Sequence, residues 1–232
     1  MPAFRYAQYC PLARATEILG ERWTLLVVRE LLLGGKRFSD LERALAGIST
    51  SVLAARLAAL EQRDIVARRE LPPPTPATLY ELTASGRALL PVIIELARWG
   101  SRFLGAPEPG DHLEPDWVRL GLITFASREP TPERRYNITV SGDDRDVVFH
   151  VAGGDRGTAV GEGHVAADAS IRGGPLDLFA LAAGLLVPGE AIRSQQIGAE
   201  GDLDALGDFS ALFDMRATEA GSDVQGAGSF NS

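Results

Sequence analysis

Apolar positions in the first half of the chain recur at helical spacing and divide it into short segments. CPLARATEIL and RWTLLVVRELLLG predict two helices that pack together, and Gly34 and Gly35 end the second. FSDLERAL predicts a third helix with Ser39 as its N-cap; a turn at Gly47 then leads into a fourth helix, which Ser49 caps. Two short helices joined by a tight glycine-containing turn are typical of a helix-turn-helix.

A hairpin and a long helix are predicted next. IVARREL and TLYELT predict two strands joined across the proline-rich tip PPPTPA. The segment from Thr83 to Leu104 predicts one helix, which Thr83 caps and Pro91 bends. Its apolar residues cover more of the circumference than one core-facing stripe requires, which favours a helix shared with a second subunit over one buried centrally.

The helix that follows Ser49 has two contrasting sides. Leucines at i, i+4 and i+7 predict the face that packs on the core: Leu53, Leu57 and Leu60. Small or polar residues lie on the opposite side: Ser51, Ala55, Ala58 and Gln62. Such a surface fits the major groove of DNA, where a serine hydroxyl can bond a base edge and an alanine methyl can meet a thymine methyl. The only basic residue of this helix is Arg56, on its flank, so the bidentate arginine contact to guanine is missing.

The second half of the chain follows a linker, GAPEPGDHLEP, and changes from helical to mixed patterning. DWVRLGLITFAS predicts a helix, and RYNITVSG, RDVVFHVAGG and ADASIRGG predict strands. PLDLFALAAGLL, GEAIRSQQI and LDALGDFSALFDM predict helices, which indicates an α+β fold with helices on one face of a sheet. We therefore expect a domain at 1–104, a linker at 105–115, a second domain at 116–216 and a disordered tail at 217–232.

Charge differs between the two halves. Residues 1–104 carry 14 Lys+Arg against 10 Asp+Glu, whereas residues 105–232 carry 9 against 21. This asymmetry indicates that only the first half approaches a polyanion such as double-stranded DNA. The alternative is chance variation in surface charge. Residues expected to contact phosphates are Lys36, Arg37, Arg56, Arg68 and Arg69. Residues of the fourth helix expected at the groove are Ser49, Thr50, Ser51 and Ala55. The alternative is a helical pair used only for protein contacts.

Several classes of function find no support in the sequence. No apolar run is long enough to cross a bilayer and no secretory signal is visible, so we expect a cytoplasmic protein without a membrane partner. A single cysteine, Cys10, excludes a disulfide framework and a multi-cysteine metal site. His112, His150 and His164 show no metal-ligand spacing, and phosphate-binding and nucleophile-elbow motifs are missing. We therefore expect no catalytic residue, metal or cofactor, and a protein that is not an enzyme.

Ordered motifs span residues 9–104: the Cys-Pro start, RWTLLVVREL, RFSDLERAL before GIS, LE before IV, and YELT before GR. In these motifs the segment resembles the HxlR-type winged-helix transcription regulators. The resemblance implies a homodimer built on the terminal helices, a recognition helix at Ser49–Gln62 and a wing formed by the hairpin. Ser51 departs from the family, whose members often carry a basic residue there, which suggests a different operator.

Cys10 lies where several members of that family carry a thiol that senses oxidants or electrophiles. Its place at a helix N-terminus, with Arg14 one turn later, would favour the thiolate. The alternative is a small residue buried at a helix start.

GEGHVAADASIRGGPLDLFALAAG and IGAEGDLDALGDFSALF resemble the sterol carrier protein type of lipid-binding fold. The resemblance implies a curved sheet and covering helices around an apolar tunnel for a lipophilic small molecule. Trp117 is expected between this pocket and the first domain, or as a packing residue. The side chains expected to line the pocket are Tyr136, Ile138, Val140, Phe149, Phe179, Leu185 and Leu186. The alternative is that they only fill the core.

Together these features predict a homodimeric bacterial transcriptional regulator, acting as a repressor at a palindromic operator and modulated by a lipophilic small molecule. Two alternatives remain: a redox regulator acting through Cys10, and a lipid-binding carrier whose winged helix serves only to dimerise.

Overall fold

The computed structural model describes residues 5–72, 77–105, 107–108, 111, 113–143 and 145–215. The chain divides into two compact units, residues 1–93 and 94–232. This division falls inside a helix, and the expected domain limits at 104 and 116 remain a prediction. The expected disordered tail at 217–232, most of the PPPTPA tip and His112 lie outside the described residues.

The first unit is a winged helix, with helices packed against a small antiparallel sheet of strand order β1-β3-β2. Its elements are α1 (Pro11–Leu19), α2 (Thr24–Leu32), β1 (Lys36–Arg37), α3 (Phe38–Ala44), α4 (Thr50–Gln62), β2 (Val66–Leu71), β3 (Ala77–Leu82) and α5 (Ala84–Arg87). Helix α6 (Leu90–Gly100) follows and contains the division between the units. The hairpin β2–β3 was expected from the sequence. The two-residue strand β1 was not, because its only strand feature is pairing with β3.

The leucine face of α4 packs as its spacing predicts. Leu53, Leu57 and Leu60 are buried, with at most 2% of each side chain exposed. Ser49 caps the helix, its Oγ accepting the Val52 N–H at 3.4 Å. The expectation for α3 was wrong by two residues, because the N-cap is Arg37 and Ser39 lies inside the helix. The next side chain along α3, Asp40, accepts the Arg37 backbone N–H at 3.2 Å.

The helix predicted from Thr83 to Leu104 is interrupted. Thr83 caps a short first piece, α5, with its Oγ1 accepting the Gly86 N–H at 3.1 Å. A turn at residues 88–89 then separates α5 from α6, and a 3-10 turn at Ser101–Phe103 follows α6. Pro91 explains the interruption, since its ring would collide with the carbonyl of Arg87 in a continuous helix. Pro91 instead occupies the first turn of α6, where its missing N–H costs nothing.

The second unit is an α+β domain built on a mixed five-stranded sheet of order β6-β5-β4-β7-β8. Strands β4 and β7 are parallel, and the other neighbours are antiparallel. Its elements are α7 (Pro115–Phe125), β4 (Arg135–Val140), β5 (Val147–Ala152), β6 (Ala159–Glu162), β7 (Ala169–Gly173), α8 (Pro175–Ala182), α9 (Pro188–Arg193), β8 (Ile197–Gly201) and a 3-10 helix at Asp204–Leu212.

Three details of this unit differ from the predicted pattern. Strands β6 and β8 were not expected, because both lie at the edges of the sheet and are rich in glycine and short of large apolar residues. The helix predicted over GEAIRSQQI ends at Arg193, and Ile197 begins β8. The segment after Leu203 is helical as expected, but in the tighter 3-10 form.

Alternating residues of the central strands build the core of this unit. Tyr136, Ile138 and Val140 of β4 are fully buried, and helices α7 and α8 and the 3-10 helix cover them. The Tyr136 hydroxyl donates to the carbonyl of Ala205 at 2.5 Å, and its ring meets Phe209 edge-on at 5.0 Å. Burial raises the pKa of Tyr136 above its usual range. The phenol is therefore neutral and holds the 3-10 helix onto the sheet.

Candidate functional site

The N-terminal part of α4 presents the surface that the sequence predicted for the groove. Ser49, Thr50, Ser51 and Ala55 are all exposed. The Oγ atoms of Ser49 and Ser51 lie 3.2 Å apart, and Thr50 Oγ1 donates to a Glu42 carboxylate oxygen at 2.5 Å. This hydrogen bond joins α4 to α3 through Thr50. Ser51 and Ala55 are exposed and take no part in it. Contact of these residues with a base edge remains a prediction.

The two arginines of the wing are exposed but already have partners. An Arg69 Nη2 lies 2.6 Å, and Nε 3.0 Å, from the same carboxylate oxygen of Glu81 on the neighbouring strand. This hydrogen bond lowers the pKa of Glu81 and raises the pKa of Arg69. Arg68 Nη2 lies 3.1 Å from Glu61, near the end of α4, and its guanidinium sits 5.5 Å from the ring centre of Tyr80.

The other residues predicted to contact phosphates differ in their exposure and in their ion pairs. Lys36 is only 13% exposed at its side chain, and its Nζ lies 3.5 Å from the fully buried carboxylate of Glu30. Arg56 lies on the flank of α4, as expected, with an Nη1 3.3 Å from Glu21. Arg37 is exposed at the start of α3. Lys36 is therefore held back from the surface, and Arg37 is the more accessible cation of that pair.

The carboxylates that accompany these cations were not predicted from the sequence. The residues concerned are Glu21, Glu30, Glu61 and Glu81. Glu81 could have been found, since the hairpin register pairs Arg69 with Leu79 and so brings Arg69 and Glu81 to nearby positions on adjacent strands. The other three meet their partners only through tertiary packing. Four of the five cations predicted at the candidate interface are therefore paired with carboxylates, and Arg37 is exposed.

An apolar stripe lies exposed along α6 and the turn after it. Val92, Leu96, Trp99 and Phe103 are between 43 and 72% exposed and follow the i, i+4, i+7 and i+11 spacing of one helical side. The rings of Trp99 and Phe103 lie 4.9 Å apart. Large side chains in contiguous exposed positions are typical of a protein-protein contact.

Cys10 lies at the N-cap of α1 and is a free, exposed thiol. The alternative of a buried residue at a helix start is therefore wrong. Arg14, one turn later, is paired with Glu17 at 2.5 Å, so its charge is balanced within α1. The exposed position is what a reactive thiol requires.

The residues predicted to bind a lipophilic molecule do not all meet in one place. Phe149 is fully buried with the three β4 side chains described above, and Trp117 and Leu186 are partly buried. Phe179 packs on α7 at Gly121, where a Cβ would come within 2.4 Å of its ring. Leu185 is 80% exposed. Their role in ligand binding remains a prediction.

An open hollow of about 450 Å³ lies beside α9 and the 3-10 helix of the second unit. None of the predicted ligand-binding residues lines it. Its lining residues are Pro188, Gly189, Ile192, Leu203, Asp204 and Gly207. Over the described ranges no group of three or more His, Cys, Asp or Glu side chains is placed to hold a metal ion. None of the helices in the described part of the chain has the length and apolarity that a membrane span requires.

Comparison with known proteins finds two families along the chain. Residues 18–108 match the family model described as HxlR-like helix-turn-helix, and residues 126–214 match that of the SCP-2 sterol transfer family. The uncharacterized HTH-type transcriptional regulator YvaP of Bacillus subtilis (strain 168) is 39% identical over 100 residues, which cover 42% of this chain and 92% of YvaP. The HTH-type transcriptional regulator YodB of the same organism is 40% identical over 103 residues, or 44% of this chain and 89% of YodB. The solved reduced form of YodB from B. subtilis covers 44% of this chain and all of its own, with 36% identity and a TM-score of 0.38.

Proposed function

Because the chain belongs to the HxlR-like helix-turn-helix family, we propose that it is a homodimeric, DNA-binding transcriptional regulator. The observation that carries this proposal is the division of α4 into a buried leucine face and an exposed face of small residues. Ser51 and Ala55 let the helix backbone come close to base edges in the major groove. Binding then depends on many weak contacts, on groove shape and on the second subunit.

Phosphate contacts position such a helix without encoding sequence. The exposed cations that support this role are Arg37 before α3 and Arg68 and Arg69 on the wing. Arg56 lies on the flank of α4 and would reach the same backbone. Lys36 contributes charge near the surface rather than a direct contact, since it is largely covered and paired with Glu30.

The apolar stripe on α6 supports the dimer. A second copy of the chain would cover Val92, Leu96, Trp99 and Phe103 and remove their exposed area from water. A two-fold dimer presents two copies of α4, which calls for a palindromic operator with half-sites about 34 Å apart. Binding at such a site would make the protein a repressor where the operator overlaps a promoter.

We further propose that the second unit binds a lipophilic small molecule that releases the repressor. The match of residues 126–214 to the SCP-2 sterol transfer family supports a lipid-like ligand. The open hollow beside α9 is one place where an apolar group could begin to enter, because three of its six lining residues are Pro188, Ile192 and Leu203. A ligand changes DNA affinity only if it binds the free and the DNA-bound conformations with different strength.

The test is fluorescence anisotropy of the full chain with two labelled duplexes: DNA from immediately upstream of its own gene, and a generic duplex. We expect salt-dependent binding to both and tighter binding to the upstream DNA. Ser51→Ala should change the preference between sequence variants of the upstream duplex, because it removes a groove-facing hydroxyl. Arg68→Ala should weaken binding to both duplexes by a similar factor, because a phosphate contact carries no sequence information. Failure to bind even the generic duplex at low salt would overturn the proposal.

The exposed thiol of Cys10 favours a second candidate function, a regulator that responds to oxidants or electrophiles. Cys10→Ser should then abolish the effect of an oxidant such as diamide on DNA binding. The lipophilic-effector proposal predicts that a lipophilic extract changes DNA binding equally in the wild type and in this variant. A lipid carrier that uses its winged helix only to dimerise predicts no salt-dependent DNA binding at all.

A further inference from the structure

Cations at the candidate DNA interface are paired with carboxylates that come from different elements. Arg69 on β2 meets Glu81 on β3, Arg68 on β2 meets Glu61 on α4, and both pairs lie on the wing side of the interface. The pairs are solvent-exposed, with each side chain between 35 and 55% exposed. Exposed ion pairs add little to the stability of a fold, so an anion that competes for these arginines can displace the carboxylates at little cost to folding.

In the Arg69–Glu81 pair the carboxylate occupies one edge of the guanidinium. Two of its donors, Nε and Nη2, are directed at one carboxylate oxygen of Glu81. That edge is one of the two through which an arginine can bind a phosphate with two N–H donors. A phosphate can reach it only by displacing the carboxylate or by sharing the guanidinium with it.

Gly35 makes room for this arrangement. A Cβ at this position would lie 2.8 Å from both Cγ and Oε1 of Glu81. Any larger residue at Gly35 would therefore push the Glu81 side chain away from where it now meets Arg69. The absence of a side chain at Gly35, just before β1, thus leaves space for the Glu81 carboxylate that pairs with Arg69.

We propose that Glu81 and Glu61 compete with DNA phosphates for Arg69 and Arg68, and so hold down the affinity of the wing for any duplex. The inference rests on the proposed DNA-binding function. Since phosphate contacts carry no sequence information, the two carboxylates lower affinity for generic and operator DNA by the same factor. Contacts made by α4 must then supply the remaining affinity. The protein is therefore expected to bind weakly to DNA whose sequence α4 does not recognise. Glu81 and Glu61 act through the arginines and are positioning residues.

Glu81→Gln in the full chain tests this inference, because the amide keeps the size of the side chain and removes its charge. Anisotropy at low salt should show binding to the generic duplex tightened by roughly three- to tenfold, as expected when a cation loses a competing partner. The upstream duplex should gain the same factor. Glu61→Gln is an independent variant that should act in the same direction through Arg68. Thermal melting followed by circular dichroism checks that both variants fold.

Glu70→Gln is the matched control. Glu70 lies on β2 next to Arg69 and accepts a hydrogen bond from Thr78 Oγ1 at 2.8 Å. Its change removes one negative charge from the same hairpin without breaking an ion pair that involves Arg68 or Arg69. A general loss of repulsion would tighten binding in both variants alike, whereas competition for Arg69 predicts a clearly larger effect of Glu81→Gln.

A double variant isolates the role of Arg69. When Arg69→Ala is already present, Glu81→Gln should no longer tighten binding, because no arginine remains to be released. Unchanged or weaker binding of Glu81→Gln, an equal gain in Glu70→Gln, or a gain that persists without Arg69 would each overturn the inference. Failure of both the wild type and Glu81→Gln to bind either duplex would instead overturn the proposed function, and the inference with it.

Discussion

A single side chain of this protein can both fill the core and hold a neighbouring element in place. Tyr136 does both, since its ring fills the core of the second unit and its hydroxyl donates a hydrogen bond to the carbonyl of Ala205. Without that hydroxyl the 3-10 helix would keep its apolar contacts with the sheet but lose a buried hydrogen bond. The polar tip therefore selects where the 3-10 helix lies, while the ring supplies the burial.

Tyr136→Phe should destabilise the protein by about 1 kcal/mol, because it removes one buried hydrogen bond and keeps the ring. Denaturation by urea, followed by circular dichroism, measures the change. Tyr9→Phe serves as control, since Tyr9 is fully exposed and its loss of a hydroxyl should leave stability unaltered. An effect of equal size at both tyrosines would argue against the role given to the bond with Ala205.

Helix α4 shows how one element contributes to both the core and the candidate interface. Its capping serine and its leucine spacing are readable from the sequence, and both have the predicted place in the structure. The residues of α4 outside the leucine face form its exposed side, because a helix with one buried face turns the other towards solvent. Element α6 was harder to predict, since the interruption at residues 88–89 depends on how the chain accommodates Pro91.

Leu57→Ala should destabilise the first unit by about 2 to 5 kcal/mol, because Leu57 is buried in the core and its removal leaves a cavity. Val52→Ala is the control in the same helix, at a side chain 38% exposed, and should cost less than about 1 kcal/mol. Chemical denaturation of both variants gives the comparison. Similar losses at the two positions would contradict the orientation of α4.

At the scale of the whole molecule, the exposed stripe on α6 and the charge difference between the halves have the largest consequences. A monomer would leave Leu96, Trp99 and Phe103 in water, and a single copy of α4 would read too little sequence for a specific site. The strongly acidic second half would also oppose the approach of DNA unless it is held away from the duplex. Dimerisation and DNA binding are thus expected to depend on each other.

Trp99→Asp should convert the proposed dimer to a monomer and weaken binding to the upstream duplex by at least tenfold, because a charge in an apolar contact is costly to bury. Light scattering measures the mass, and anisotropy measures the binding. Ala97→Asp adds the same charge at an exposed position on another side of α6 and should leave the dimer intact. A wild-type protein that is monomeric at micromolar concentration would refute the proposed use of the stripe.

The sequence by itself determined the features that depend on local periodicity and capping. These are the first four helices, the hairpin, the Ser49 cap, the leucine face of α4 and the α+β class of the second unit. Each follows from neighbouring residues that share one helix, strand or turn, so their physical cause lies within a few positions of the chain.

Only the tertiary structure decided which side chains meet across elements. Glu61 and Arg68 lie on different elements, and Thr50 and Glu42 are brought together by the packing of α3 against α4. The edge strands β6 and β8 exist because neighbouring strands complete their hydrogen bonds, a cause that their own residues do not show. For the same reason the sequence indicated how many cations lie near the candidate interface, but not that carboxylates already hold most of them.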